Sequence, residues 1–506
     1  MPQRKQGRET LAEIRTALQQ STNFYRYRTI IKNEFILLKI IAKHYFMKLP
    51  SRYEDLDEAY KGRLIPNKNL IQLIKKANNS ISISGGIKFL PVFGQSGSGK
   101  SSGTIELSTH LPNTYTFLLT PLEIESKNDL LKRIMEEHRT HPAKILIPII
   151  DQFEENVAGK ESIPSQFIEF ISLFDRNELK SIPTIFIWLT TSKDFQSALS
   201  NATTRNSRIL ISKDFEITGP EKTQWTEIIK DTFTIHNSGK SLADYEIIDD
   251  DIEKVIFNTQ TIGESIQLVG DKLAHHLSEL QDFSEYQIIL LWPVADSVRN
   301  QRVMQYTLPR DGYKLNWDAF YRELTAEEKK QLPLAVYNRT RLYFDFRLVP
   351  VRVADLHRLC VNLENDGIPL AKTYLTRFGQ THLFHIINNT WKDYDYAPVR
   401  ERESKRGDEG KEWYKSVTTS PVLLGKRVAR ILTELGLKAG HEKEQKSEFS
   451  TVKADVFVER ITSEKKKIII EMKVYSSENT FPSSIKDQIK VTLKRHAIFA
   501  GFMKKN

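Results

Sequence analysis

The sequence holds one cysteine, Cys360, in 506 residues. No internal disulfide can brace the chain, and a reducing cytosol is the expected setting. The lone thiol itself reads as a small buried hydrophobe. Long apolar runs are missing as well. The most hydrophobic N-terminal stretch, IIKNEFILLKIIAKHYF at 30–46, is broken by Lys32, Glu34, Lys39 and Lys43, whereas a membrane span needs about 20 apolar residues. It reads as an amphipathic core helix. The first twenty residues are polar and charged, without the apolar centre of a signal peptide. A cytoplasmic protein with no membrane partner is therefore expected. Histidines suggest no metal centre, because His138, His141, His275 and His276 lack partners at ligand spacing. Internal repeats and low-complexity tracts are absent.

What remains is the composition of a folded protein, 40% hydrophobic and 27% charged, long enough for three or four domains at about 100–200 residues each. The net charge of +10 is unevenly spread: residues 421–506 hold 18 Lys and Arg against 10 Asp and Glu, leaving only +2 for the preceding 420. A basic module suits a polyanion, since neutralised phosphates release counterions. A merely solvated basic surface is the plain alternative.

Along the chain, residues 1–84 read as a helical N-terminal domain with Leu11, Ile14 and Leu18 at helical spacing. Short apolar runs then alternate with helical patterns, in IKFLPVF, TYTFLLT, KILIPIID and TIFIWLTT, which predicts buried parallel strands with crossover helices. After Gly219-Pro220 the pattern turns helical and predicts a lid, closing an 85–282 unit. Residues 283–414 read as a helical or winged-helix spacer ending in a charged linker, VRERESKRGDEGKEW at 399–413. The basic segment 415–506 reads as a small α/β domain.

Gly94, Gln95, Ser96, Gly97, Ser98, Gly99, Lys100 and Ser101 fit G-x-x-x-x-G-K-[ST] between a strand and a helix. Glycines let successive backbone N–H groups curl toward phosphate oxygens, and the helix start adds its dipole. Lys100 is expected on the β and γ phosphates and Ser101 on Mg2+. The apolar run KILIPIIDQFEE ends in Asp151, expected to hold the shell of Mg2+, with Glu154 and Glu155 close behind to polarise water. TIFIWLTT ends in Thr190, Thr191 and Ser192, which could sense the γ phosphate; Arg205 and Arg208 stand where an arginine finger for a neighbouring subunit would be expected. Over residues 85–280 this order of parts resembles the AAA+ and STAND branch of P-loop ATPases. That resemblance implies ATP, Mg2+ and a homo-oligomer. Gln152 departs from the Asp-Glu pair many AAA+ members carry.

In the basic segment, KADVFVERI and KIIIEMKVY read as two strands of a hairpin. Positions i and i+2 share a face, so Glu471 and Lys473 project together beside the strand carrying Asp455. Two carboxylates set close can trap Mg2+ over a phosphate while the lysine steadies charge. Glu-x-Lys recurs eight other times, beginning at Glu125, Glu178, Glu327, Glu328, Glu403, Glu409, Glu444 and Glu464, so what sets 471–473 apart is its apolar strand, the paired strand carrying Asp455 and the basic surroundings. Residues 415–506 resemble the PD-(D/E)xK nuclease superfamily, a restriction-endonuclease-like fold. The resemblance implies Asp455, Glu471 and Lys473 as the metal-dependent triad, with Gln488 as the extra glutamine of several branches. Ala454 replaces the motif's proline.

Together these readings predict an α/β chain with a P-loop parallel sheet, helical lid, helical N-terminal region and small nuclease-like domain. The function expected is an ATP-controlled nuclease cutting double-stranded DNA, of a kind that resembles prokaryotic defence or mobile-element proteins and answers an unidentified protein trigger. Two other readings stay open: a STAND-like sensor or scaffold that docks on nucleic acid without cutting, and a DNA-translocating motor.

Overall fold

The computed structural model describes residues 47–504 apart from 59, 152, 154–162, 280–283, 354, 355, 357–368, 395–404, 418–420, 461–464 and 475–479. The helix expected at 30–46, Cys360, Glu154 and Glu155 lie outside the described residues. The chain divides into two compact units. The first runs to Lys240 and takes in Ile256–Gly270; the second holds Ser241–Val255 and continues from Asp271.

The first unit is built on a five-stranded parallel sheet of β1 (Ile87–Phe93), β2 (Thr114–Leu118), β3 (Ile145–Ile150), β4 (Thr184–Thr190) and β5 (Phe215–Glu216), in the order β2-β3-β4-β1-β5. Alternating side chains feed two cores. Ile145, Ile147 and Ile149 pack with Leu70, Ile74, Ala77 and Ile81 of α1 (Lys68–Ser84), whereas Leu146 and Ile150 pack with residues of α3 (Lys127–Thr140), α4 (Ile163–Arg176) and α5 (Lys193–Ala202). Both faces of the sheet are thus covered, which is why its strands read as unbroken apolar runs rather than alternating ones.

Pro91 sits in β1, an interior strand, where a missing N–H would ordinarily break the ladder. Phe89 N–H donates to Ile209 O on the β5 side, and Pro91 faces the same way two residues on. There β5 is only two residues long. Gln196 closes the gap, donating from Nε2 to Pro91 O at 3.1 Å and Phe215 O at 2.8 Å. β1 therefore continues unkinked to the loop beyond Phe93.

The second unit holds a mixed seven-stranded sheet in the order β10-β11-β12-β6-β9-β8-β7. Its strands are β6 (Tyr286–Val294), β7 (Thr307–Leu308), β8 (Lys314–Leu315), β9 (Arg347–Arg352), β10 (Lys438–Lys446), β11 (Thr451–Glu459) and β12 (Lys467–Met472). β6 pairs parallel with both β12 and β9, and β11 pairs antiparallel with β10 and β12. Ile289 and Leu291 pack toward α6 (Pro421–Glu434), while Ile288, Leu290 and Trp292 pack toward α7 (Pro482–Phe499).

Four expectations change here. Segments 283–414 and 415–506, read as separate, share one sheet, because β12 finds its parallel partner in β6. The spacer read as helical or winged-helix supplies four of that sheet's strands. The described part of the charged linker is a helix, Lys405–Val417, with Tyr414 in the core and Trp413 against it. Two adjacent aromatics gave that polar segment an apolar anchor. Part of the expected lid, Ser241–Val255, packs inside the second unit: Asn338 donates to Ala243 O at 2.8 Å and Tyr321 OH to Asp250 at 3.0 Å.

Candidate functional site

The loop after β1 begins with Gly94, whose N–H donates to Thr190 O at 3.0 Å. Gly97 and Gly99 take φ of +78° and +81°, a region that only glycine enters freely. Gly99 caps α2 (Lys100–Ile105) in the left-handed conformation. A Cβ on Gly94 would lie 2.8 Å from Ser98 Oγ, and one on Gly97 2.7 Å from Thr261 Oγ1. The loop is thus packed too closely for side chains at its glycines. Ser98 Oγ is buried and has no hydrogen-bond partner among the described residues, an orphan of the kind a bound phosphate oxygen would satisfy.

The loop opens on a cleft of about 1160 Å³ that Lys100, Ser101, Asp151 and Thr191 all line, with Gln95 to Gly99. Asp151 follows β3, and β4 lies between β3 and β1. The carboxylate's strand therefore stands two strand spacings, about 10 Å, from the loop's strand, rather than beside it. Thr191, after β4, falls between the two. Phe153 is buried and meets Trp188 edge-on at 5.6 Å, anchoring the chain just past Asp151.

The sequence reading missed the wall opposite. Pro50 to Asn69 contributes much of the lining, as do Gly219, Pro220 and Thr261 to Gln267. Buried Glu106 ties the first of these down, accepting from Gly62 N–H at 2.5 Å and Tyr53 OH at 3.4 Å. Burial, and then the Glu106 carboxylate, push the Tyr53 phenol well above its ordinary value. The stretch SRYEDLDEAYKGR carries no motif, and its role follows from where the chain leads it.

Arg208 is not among the cleft's lining residues. Its guanidinium lies 2.5 Å from Asp175 Oδ2, while Asp175 Oδ1 accepts from Ile87 N–H at 2.8 Å. Ile87 starts the strand whose far end bears the phosphate loop, about 20 Å away along seven residues. Within one chain Arg208 thus does not reach the phosphate loop: a carboxylate only 2% exposed pairs with it at the far end of β1. Thr190, buried, donates no contact to the cleft; it accepts from Ser192 N–H at 3.0 Å.

In the second unit, Asp455 and Glu471 lie on paired strands, and Asp455 Oδ2 accepts from Met472 N–H at 2.6 Å. Lys473 Nζ is 3.0 Å from Glu471 Oε2. The three side chains expected together are together. Glu471, however, is 1% exposed and already saturated: Oε2 also accepts from Thr492 Oγ1 at 3.1 Å, and Oε1 lies 2.8 Å from His496 Nε2 and 3.0 Å from Arg495 Nη1. Burial by itself would raise the Glu471 carboxyl; the His496 bond and the Lys473 and Arg495 charges outweigh it and hold the group well below the usual carboxylate range. Asp455 goes the other way, raised chiefly by burial and by the Glu471 charge, against the Met472 bond. Gln488 is half-buried on α7. Neither His496 nor Arg495 stood out in the sequence, although both lie on the face of α7 that meets the hairpin. No group of three or more His, Cys, Asp or Glu positioned for a metal ion occurs among the described residues.

The basic segment is also more paired than its composition suggests. Lys438, Lys453, Lys467, Lys473, Lys486, Lys490 and Arg495 each meet a carboxylate. Charges along β10 also guard an exposed sheet edge. No described helix is long and apolar enough to cross a membrane.

No protein-family model matches the chain, and no curated protein does. Among solved structures it is similar to the Aeropyrum pernix ORC2 protein in ADPNP-ADP complexes, at 10% identity over 88% of this chain and 97% of that one, with a TM-score of 0.32. It is also similar to a DNA replication initiation factor, at 13% identity over 75% of this chain and 99% of that one, with a TM-score of 0.27. A RuvB mutant from Thermotoga maritima gives 12% identity over 53% and 86%, with a TM-score of 0.25. These likenesses are remote. What the chain's own strands establish is an α/β fold whose five-stranded parallel sheet is like that of P-loop ATPases, accompanied by a second, mixed sheet.

Proposed function

We propose that the chain is an ATPase whose nucleotide-binding unit controls an action on nucleic acid. The observation that supports it is the convergence of Lys100, Ser101, Asp151 and Thr191 on one cleft at the end of the parallel sheet. Backbone N–H groups of the glycine loop would surround the phosphates, with Ser98 Oγ adding a donor and Lys100 a charge. Ser101 and Asp151 would hold Mg2+, which when bound neutralises phosphate charge and polarises the γ-phosphoryl group. Thr191 would report on the γ phosphate, and activation of water by Glu154 or Glu155 is part of the same proposal. Arg205 remains the candidate for a contact across a homo-oligomer.

Titrating the protein with ATP and Mg2+, and following phosphate release, tests this reading. Lys100→Ala is expected to weaken binding roughly tenfold to hundredfold, as loss of a charged hydrogen bond would. Asp151→Asn is expected to bind and not turn over. Equal ATP affinity in Lys100→Ala and parent would sink the proposal.

A second reading, a DNA nuclease, draws support from Asp455, Glu471 and Lys473 lying together on the β11–β12 hairpin. A metal does not fit Glu471 as it stands, since both its oxygens are taken by the groups of α7 and by Lys473. Cutting would require those partners to be exchanged, and double-stranded DNA binding without cleavage is the simpler outcome. Plasmid incubated with Mg2+, with and without ATP, decides between them. Asp455→Asn keeps the acceptor for Met472 N–H, so cleavage by the parent and not by this variant supports a nuclease, and binding without cleavage supports the switch.

A further inference from the structure

We propose that a pocket in the second unit binds a nucleobase together with its phosphate. The pocket, about 340 Å³, is lined by Arg310, Tyr313, His382, Trp391, Lys392 and Tyr394 among others. Four aromatic rings thus converge on one small space, and the two cationic residues are both exposed. No acidic residue is found in its lining among the described residues. The volume is at the small end for ligand sites, of the order of one nucleotide rather than a duplex.

The rings are held in place from behind. The Arg347 guanidinium lies over the Trp391 ring at 5.2 Å and is itself fixed by Asp345 at 2.8 Å. Gly312 lets the backbone approach: a Cβ there would fall 2.7 Å from Trp391 Cδ2. His382 Nε2 bonds to Pro350 O at 2.8 Å, and its ring lies 5.1 Å from that of Tyr313. Tyr313 itself takes φ of +63°, a conformation rare for a bulky residue and met most often where surrounding structure enforces it at binding sites. Tyr313 is itself buried and backs the half-buried rings of His382, Trp391 and Tyr394; these preformed rings, with cations at their rim, match a π-faced ligand that carries a negative charge. Every nucleobase has such a face, and stacking tolerates any sequence. The ligand could come from a single strand or as a free mononucleotide; Arg310 and Lys392 would take the phosphate in either case.

The test uses the full chain carrying Lys100→Ala, so that binding at the phosphate loop is weakened and a failure here leaves the ATPase reading untouched. One arm titrates a fluorescent oligothymidylate of about eight nucleotides; the other follows tryptophan fluorescence on adding AMP or UMP. Arg310→Ala with Lys392→Ala, both at exposed positions, is expected to weaken the bound ligand at least tenfold and, for the oligonucleotide, to flatten the salt dependence by about 1.4 in log–log slope for two lost contacts. Tyr394→Ala is expected to weaken it about tenfold without changing that slope. These effects in the oligonucleotide arm assign the pocket to single strands, and in the mononucleotide arm alone to a free nucleotide. No binding in either arm at about 1 mM ligand, or equal binding by parent and variants, overturns the proposal.

Discussion

The N–H of Gly263 donates to the carbonyl oxygen of Gly97 at 3.1 Å, so the start of the helix Ile262–Glu279 rests directly on the phosphate loop. A Cβ on Gly263 would lie 2.8 Å from Gly97 Cα, and both contacts are backbone. Gly263→Ala must therefore move the loop. The expected outcome is ATP affinity lowered roughly tenfold with the fold intact by circular dichroism; unchanged affinity in a calorimetric titration would show that the loop shifts freely.

Arg208→Ala separates a structural arginine from a catalytic one. Asp175 would keep Ile87 N–H and lose its cation while buried. Because Arg208 is largely exposed, the expected loss is modest, about 1 kcal/mol in urea unfolding. ATP turnover per folded molecule should match the parent. A large drop in turnover with unchanged stability would return Arg208 to the nucleotide.

Glu471→Gln removes the charge that Lys473 and Arg495 surround. Leaving cations uncompensated in a buried cluster is expected to cost about 3 kcal/mol, read as a lowered urea midpoint of the second unit. A stability equal to the parent would mean that the cluster is not a structural lock.

Acid should act through the same group. Glu471 is depressed in the folded state, so below its unfolded value of about 4.3 the unfolded chain binds the extra proton first. The stabilisation is complete above that pH and declines as pH falls further. Replacing the group should flatten the parent's stability loss between about pH 4.3 and 3. If Glu471→Gln and parent lose stability in parallel there, other carboxylates carry the acid transition.

Glu328 offers a milder version. Lys486 and Lys490 bracket it at 2.8 and 2.5 Å, and their hydrogen bonds, with that of Thr325 N–H, lower its pKa to about 2. It lies on a helix outside the 415–506 segment and links to α7. Glu328→Gln should cost about 1 kcal/mol at neutral pH and nothing below pH 2, where the parent's carboxylate is also protonated. A cost that persists at low pH would assign the effect to packing.

The phosphate loop was legible because its chemistry is local: glycines, Lys100 and Ser101 sit within eight residues, and the strand before them is an apolar run. Asp151 was legible for a similar reason, as the polar end of a buried strand. The pairing of Arg208 with Asp175 was not legible, because a stretch of sequence does not say which end of a sheet it will reach. The tail's triad was found by strand alternation, but its saturation was not. His496 and Arg495 are ordinary residues of an amphipathic helix until α7 is laid across the hairpin.

By itself the amino-acid order determined the parallel sheet, the loop that opens it and the hairpin bearing Asp455 and Glu471, since each rests on periodicity or spacing within a short segment. Only tertiary structure decided that β6 pairs with β12, that residues 50–69 wall the cleft, and that Glu471 is enclosed by cations. Such facts depend on contacts between distant segments, whose partners are chosen by how buried surfaces and charges fit together rather than by any pattern within one segment.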